Sequence, residues 1–294
     1  MQIHPLSPLG GITVAGVDLR TPVSAAFDAP LQQLYAEHGI VVFRGQTLSK
    51  AELVAAGEHF GGTLINKEAV APDPEAPGIT VISTRGPFGD TMPEDQDEVV
   101  GDLEWHTDQG YVVSPIRGKI LYAVQVPDEG GLTGFIDGQL TYEALPDDLK
   151  ARIDGLHVIQ SWNRSEEYLA RNRDYRIKGH QEMTRDRFPD LSFPIVLAHP
   201  VTGAKILNVP PLWSAGIVEM PGAEGDALLA TLVDFVKQPR FQYWHRYTVG
   251  DAVLWDNWRF VHAAGGTPGR YVRTLWAINI KGGPVLGEVI RKAA

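Results

Sequence analysis

The sequence of 294 residues contains no cysteine. Disulfide frameworks, Cys-ligated zinc, iron–sulfur clusters and thiol nucleophiles are therefore excluded, and any bound metal must be held by histidine and carboxylate side chains. Positive charge is scarce: 26 Lys and Arg against 36 Asp and Glu give a formal net charge of −10. A net anion is repelled by phosphate backbones, which argues against a general nucleic-acid binder. Long apolar runs are also missing. The longest, Ala227 to Val236, is broken by Asp234 and falls short of the ~20 residues that a membrane span requires, so no membrane partner is expected. The opening MQIHPLSPLGGITVAG has no cationic stretch and no unbroken apolar one; no targeting segment is read, and a cytoplasmic protein is expected. The patterns G-x-x-x-x-G-K-[ST], G-x-S-x-G and H-E-x-x-H do not occur. Gly130-Gly131 and Gly265-Gly266 read as turns, not as parts of a dinucleotide fingerprint.

What is present suits a globular protein. Hydrophobic residues make up 44% and charged residues 21%, enough apolar material for a sizeable core. Abundant glycine (31) and proline (21) predict many turns and a β-rich chain. Helices are expected over Asp28 to His38, after the capping-box sequence Ser49-Lys50-Ala51-Glu52, over Pro146 to Ile153 and over Gly225 to Lys237. Strands are expected at Ile40 to Phe43, Lys119 to Val126, Leu156 to Trp162, Phe193 to Ala198, Lys205 to Val209, Phe241 to Tyr247, Ala252 to Trp255 and Thr274 to Ile280. Without regular βαβ alternation, the pattern reads as α+β with a dominant antiparallel β core. One domain is expected over 1–294. A Pro-, Gly- and acid-rich stretch at about 66–102 reads as a mobile loop, and a charged insert at about 163–190 as a lid.

Trp105-His106-Thr107-Asp108 is the sharpest local feature. In an extended segment positions i and i+2 share a face, so His106 and Asp108 point the same way. One imidazole beside one carboxylate supplies two of the three ligands of a facial metal triad, and His262, after Asp251 to Asn257, is the best third ligand. A His-x-acid pair alone is commonplace, and His180-Gln181-Glu182 is a second instance within a charged stretch. Arg273 opens an apolar strand, where a guanidinium needs an anion: either an acidic residue of the chain or a bound dicarboxylate.

These residues fall in an order that resembles the taurine dioxygenase/TfdA-like family of Fe(II)- and 2-oxoglutarate-dependent oxygenases. The resemblance runs through Gly39 to Gly45, Trp105 to Asp108, Pro127-Asp128-Glu129-Gly130-Gly131-Leu132-Thr133, His199-Pro200 with Gly203 and Leu207-Asn208, and Gly250 to Asn257, leading to His262 and Arg273. It implies a double-stranded β-helix, or jelly-roll, core with flanking helices. It also implies that His106, Asp108 and His262 hold iron, that Thr133 and Arg273 hold the far carboxylate of 2-oxoglutarate, and that O2 is consumed. Asp108 argues against halogenation, because related halogenases lack that carboxylate.

The chain also departs from the family pattern. Ala277 stands where taurine and phenoxyacetate enzymes place a second Arg for the substrate's acid group, and Asp102 replaces the Asn of the taurine enzyme. Trp258 replaces the usual Arg of Trp-Asp-Asn-Arg. Taurine is therefore not the expected substrate. An acidic substrate would need another cation, for which Lys67, Arg117 and Arg164 are candidates. Asp102, Trp105, Tyr111, Trp213 and Trp258, with Phe260, are candidate walls of the substrate pocket, each balanced by an ordinary packing role. The expected reaction is hydroxylation or desaturation of a small organic molecule, an amino-acid-derived or other organic acid such as a natural-product intermediate of the isonitrile type. The alternatives are a non-enzymatic jelly-roll binder with a structural metal, and a zinc hydrolase using the same ligands. A homo-oligomer is left open.

Overall fold

A computed structural model of the chain describes residues 1–65, 73, 76–85, 97–162 and 188–290. The expected mobile loop and lid lie mostly outside these residues, as do His180, Lys67 and Arg164. In chain order, β1 (Gln2–Ser7) and β2 (Gly10–Ala15) are followed by α1 (Ala25–His38), β3 (Ile40–Phe43) and α2 (Lys50–Ala56). Next come β4 (Thr80–Ser83), β5 (Val99–His106), β6 (Gly118–Gln125), β7 (Thr133–Asp137), α3 (Gly138–Glu143), α4 (Asp147–Ile153) and β8 (His157–Gln160). The remainder comprises β9 (Leu191–Pro194), β10 (Val196–Ala198), β11 (Lys205–Leu207), β12 (Ser214–Ile217), α5 (Ala223–Val236), β13 (Gln242–His245), β14 (Ala252–Asp256), β15 (Phe260–Pro268), β16 (Thr274–Ile280) and β17 (Glu288–Val289). The architecture is thus mixed α and β with several sheets. Among the described residues, no helix is long and apolar enough to cross a membrane.

Two sheets position the site. One has seven strands in the order β1-β2-β3-β14-β6-β16-β4, and the other has four in the order β13-β7-β15-β5. Within them only β2 and β3 pair in parallel. Side-chain alternation divides the core accordingly. Val41, Phe43, Ile120, Tyr122, Leu254 and Ile278 face outward and pack with Leu31 and Tyr35 of α1 and Leu53 of α2. Their neighbours Ile40, Val42, Leu121, Ala123, Val253, Trp255, Leu275 and Ala277 face inward and meet Phe135, Tyr247 and Phe260. The far face of the four-stranded sheet carries Trp105, Ile136, Val261 and Ala263, covered by Leu228, Leu229, Leu232 and Val236 of α5. Each apolar face is thereby removed from water, at about 25 cal/mol per Å² buried.

Local signals explain the helix ends. The Ser49 hydroxyl accepts from the Glu52 amide while the Glu52 carboxylate accepts from the Ser49 amide, a complete capping box for α2. Gly39 ends α1 at φ 69°, its N–H donating to the Tyr35 carbonyl.

Several expectations need correction. Val99 to Asp102, read as loop, belong to β5, because Val99 and Val100 pair with Pro268 and Thr267 of β15. The single strand expected at Phe193 to Ala198 is two strands that pair with different partners, β8 and β11. Strands β1, β2, β7, β12, β15 and β17 and helix α3 were not anticipated. β15 is rich in glycine and alanine, which weaken strand propensity, and β7 is only five residues long and holds Gly134 and Asp137; in both, sheet pairing overrides the local signal.

Phe43 is fully buried beneath α1 and α2, so Phe43→Ala should cost about 3–5 kcal/mol. Ser49→Ala, which removes a cap, should cost about 1 kcal/mol. Denaturant unfolding of both variants checks this ranking.

Candidate metal centre

The inner face of the four-stranded sheet sets the first two side chains. His106 ends β5 and His262 lies on β15, and the two are direct cross-strand partners. Their ring centroids are 4.1 Å apart. Asp108 arrives differently from the expected extended segment. The strand stops at His106, and Asp108 sits in a turn whose next residue, Gln109, has φ 59°. Asn257 fastens this turn: the Asp108 N–H donates to Asn257 Oδ1 at 2.7 Å, and Asn257 Nδ2 donates to the Asp108 carbonyl at 2.9 Å and the Ile116 carbonyl at 3.1 Å. Candidate ligand atoms of His106, Asp108 and His262 consequently lie within 4.8 Å of one another.

The protonation states suit a metal. The Glu104 carbonyl lies 2.7 Å from His106 Nδ1 and can only accept, so Nδ1 carries the proton and Nε2 keeps its lone pair. His262 Nδ1 is buried with no hydrogen-bond partner among the described residues, and His262 Nε2 lies 3.6 Å from Asp108 Oδ2. Burial lowers the pKa of both imidazoles, that of His262 strongly, and favours their neutral, ligating forms. Burial alone would raise the Asp108 carboxyl, but the Lys119 ammonium, followed by the two imidazoles, holds it well below the ordinary carboxylate range. Two neutral imidazoles and one carboxylate form a donor set suited to a divalent first-row metal.

A second cluster lies on the same inner face. Thr133 opens β7, and its hydroxyl is 2.9 Å from the Tyr247 hydroxyl. The Arg273 guanidinium lies over the Tyr247 ring at 5.6 Å, and its Nε donates to the Gly131 carbonyl at 3.0 Å. Gly131 has φ +67°, and a Cβ there would stand 2.7 Å from Pro127 Cγ and 3.1 Å from Arg273 Cδ, so glycine is required. Arg273 is 9% exposed, yet among the described residues no carboxylate forms an ion pair with it. Burial lowers its pKa, and the neighbouring Tyr247 is the one influence that opposes this. Burial in turn pushes the Tyr247 phenol up to about 12, which keeps it a neutral hydrogen-bonding group. Among the described residues, the acidic partner that an ordinary structural arginine would have is missing here.

The substrate-wall candidates scatter. Trp105 points away from the triad, into the core beneath α5, 5.2 Å from Trp244. Trp258 packs on His199, and its N–H reaches the Pro115 carbonyl at 3.3 Å. Phe260 joins the inner core. Asp102 is exposed on β5 opposite Gly265. Tyr111 and Trp213 do come together, 5.4 Å apart, in an aromatic cluster with Trp162 and Phe188. The Trp213 N–H donates to the Thr107 carbonyl at 2.7 Å, tying this cluster to the ligand loop. Arg117 stacks on Tyr35 instead of entering the site. Sequence reasoning missed Lys119, Tyr247 and the clamping role of Asn257. The parity of Lys119 with Leu121 and Ala123 along β6 was the available signal for the first.

The fold and the cluster together present two histidines and one carboxylate, a group that could hold a metal ion, between two β-sheets. Comparison with known proteins makes the assignment specific: the family model described as taurine catabolism dioxygenase TauD, TfdA family matches residues 2–278, and the chain belongs to that family. It is 32% identical over 265 residues to an alpha-ketoglutarate-dependent 2,4-dichlorophenoxyacetate dioxygenase of Cupriavidus pinatubonensis, covering 88% of this chain and 90% of the relative. It is also 32% identical over 297 residues, 96% of each chain, to an (S)-phenoxypropionate/alpha-ketoglutarate-dioxygenase of Sphingobium herbicidovorans. A crystal structure of a taurine dioxygenase from Burkholderia xenovorans superimposes with a TM-score of 0.77 at 25% identity, covering 99% of this chain and 96% of that one. The chain is accordingly a 2-oxoglutarate-dependent dioxygenase, for which Fe(II), 2-oxoglutarate and O2 are the implied cofactor and cosubstrates. These relatives do not favour the non-enzymatic alternative.

Asn257→Ala would leave one donor and two acceptors of the ligand loop unpaired in a buried setting. The expected loss of stability is more than about 2 kcal/mol, and calorimetric unfolding of the variant checks it.

Proposed function

We propose that the enzyme hydroxylates or desaturates a small organic acid, with His106, Asp108 and His262 holding Fe(II) and with Thr133 and Arg273 holding the far carboxylate of 2-oxoglutarate. The observation that carries the cosubstrate assignment is the buried guanidinium of Arg273, which has no ion-paired carboxylate among the described residues and lies over Tyr247, whose hydroxyl meets that of Thr133. A dianion with a planar terminal carboxylate answers both the charge and the donors. The seven- and four-stranded sheets are read as the walls of a double-stranded β-helix, and 1–294 as one domain around them.

Bound iron supplies the oxidative chemistry, coupling decarboxylation of 2-oxoglutarate to oxidation of a substrate C–H bond. The chain's own residues do the rest. Asn257 keeps Asp108 aimed at the metal position, and the Glu104 carbonyl fixes the His106 tautomer. Tyr247 braces Thr133 and underlies Arg273, so the carboxylate grip is set before the ligand arrives. The inner apolar layer around Trp255 and Phe135 restricts water at the triad. Support for an acidic substrate comes from the relatives' names, a dichlorophenoxyacetate and a phenoxypropionate dioxygenase. Tyr111 and Trp213 are the wall candidates best placed to meet its apolar part, because their cluster is tied to the ligand loop.

Iron-dependent release of succinate from 2-oxoglutarate tests the reading directly. His106→Ala should abolish it, and undiminished turnover in that variant would reject the triad. Arg273→Ala should raise the KM for 2-oxoglutarate about thirtyfold or more with little effect on the KM for the organic substrate. Steady-state kinetics with each reactant varied in turn measures both, and an unchanged cosubstrate dependence would refute the carboxylate role.

A further inference from the structure

Lys119 is a lysine in an unusual place. It lies on β6 with the inward parity of Leu121 and Ala123, so its side chain enters the space between the two sheets. The side chain is 16% exposed, and Nζ stands 2.7 Å from Asp108 Oδ2, the one anion with which it forms an ion pair among the described residues. Its cross-strand partner on β14 is Trp255, also inward-facing, whose buried indole N–H has no acceptor among the described residues. On its other side β16 places Asn279 directly opposite and Ala277 opposite Leu121. Directly opposed side chains on one face stand about 5 Å apart at Cβ, so three donor-bearing residues, Lys119, Trp255 and Asn279, stand side by side across β14, β6 and β16. The methyl group of Ala277 leaves room beside them.

The charges of the enclosed site indicate what this group awaits. A divalent metal uses the charge of Asp108 and leaves one positive charge. Arg273 and Lys119 add one each, and the 2-oxoglutarate dianion removes two. One positive charge remains between the sheets, where an uncompensated ion is costly to hold away from water. The surplus is Lys119 itself, because Arg273 is answered by the cosubstrate. An acid filling this place would lie beside Asp108, so the C–H bond presented to the metal would be close to the acid group.

We propose that Lys119, assisted by the Trp255 indole N–H, is the specificity residue that anchors the carboxylate of the primary substrate, which is therefore a monoanion oxidised near its acid group. The proposal rests on the function inferred above and deepens it.

The test separates the two levels. Wild-type, Lys119→Met and Lys119→Arg proteins are first titrated with Mn(II) and N-oxalylglycine, redox-inert stand-ins for iron and cosubstrate. Failure of the wild type to bind them would sink the metal and cosubstrate assignment, whatever Lys119 does. Loaded proteins are then titrated calorimetrically with matched pairs: phenoxyacetate and phenoxyacetamide, 2-phenoxypropionate and its amide, an N-acylglycine and its amide. The wild type should bind at least one acid about tenfold or more tightly than its amide. Lys119→Met should lose that preference while retaining Mn(II) and N-oxalylglycine, and Lys119→Arg should keep it. Three results overturn the proposal: no acid in the panel binds the loaded wild type, Lys119→Met retains the acid preference, or Lys119→Met loses Mn(II) while Lys119→Arg keeps it. The last would make Lys119 a support of the metal ligand rather than a substrate anchor.

Discussion

Cross-strand pairing of His262 with His106 is the constraint on which the site depends. Because side chains alternate along a strand, a slip of one residue in the β15–β5 register would send one imidazole into the core beneath α5 and bring an apolar neighbour inward. The pairing is protected on both sides. Val261 and Ala263 are packed against the α5 layer, and Phe135 of β7 opposes His262 from the other neighbouring strand. Two of the three candidate ligands are therefore fixed by the same burial that stabilises the sheet. The third depends on Asn257, whose amide spans the ligand loop and the Ile116 carbonyl.

Charge is distributed with the same economy. Between the sheets stand one carboxylate of the triad and two cations, Lys119 and Arg273, on strands or strand edges of the seven-stranded sheet. Neither cation is neutralised by a second acidic residue among the described residues. A half-buried arginine elsewhere behaves in the ordinary way: Arg259 is paired bidentately with Asp137. The contrast between Arg259 and Arg273 is what separates a structural guanidinium from one set aside for a ligand.

Much of the site was legible because it sits in compact motifs. Trp105 to Asp108, Gly130 to Thr133, Asp251 to His262 and Arg273 each span few residues, and their order along the chain carried the resemblance. Strong strands such as Ile40–Phe43 and Thr274–Ile280 also announced themselves through apolar, β-branched runs. What escaped was set by tertiary context. β15, with Ala263, Ala264, Gly265 and Gly266, has poor strand propensity and exists because β5 and β7 flank it. Trp105 lies next to motif residues in sequence but on the opposite side of the sheet, so proximity along the chain misled there. Lys119 was hidden for the reverse reason: eleven positions from Asp108 along the chain, it is delivered beside that residue by the opposite sheet.

That last arrangement has a mechanical consequence. Both histidines ride on the four-stranded sheet, whereas Lys119, Trp255 and Asn279 ride on the seven-stranded one. Each sheet is stiff within its own hydrogen-bonded plane, but the two are joined at this end by side-chain packing, including Phe135 against Trp255 at 5.4 Å. The gap between donor group and metal position is thus a spacing between two plates, with Phe135 and Trp255 as the shim. Altering the thickness of that shim would change which carbon of an acid comes to rest at the oxidising centre, without touching either the ligands or the lysine.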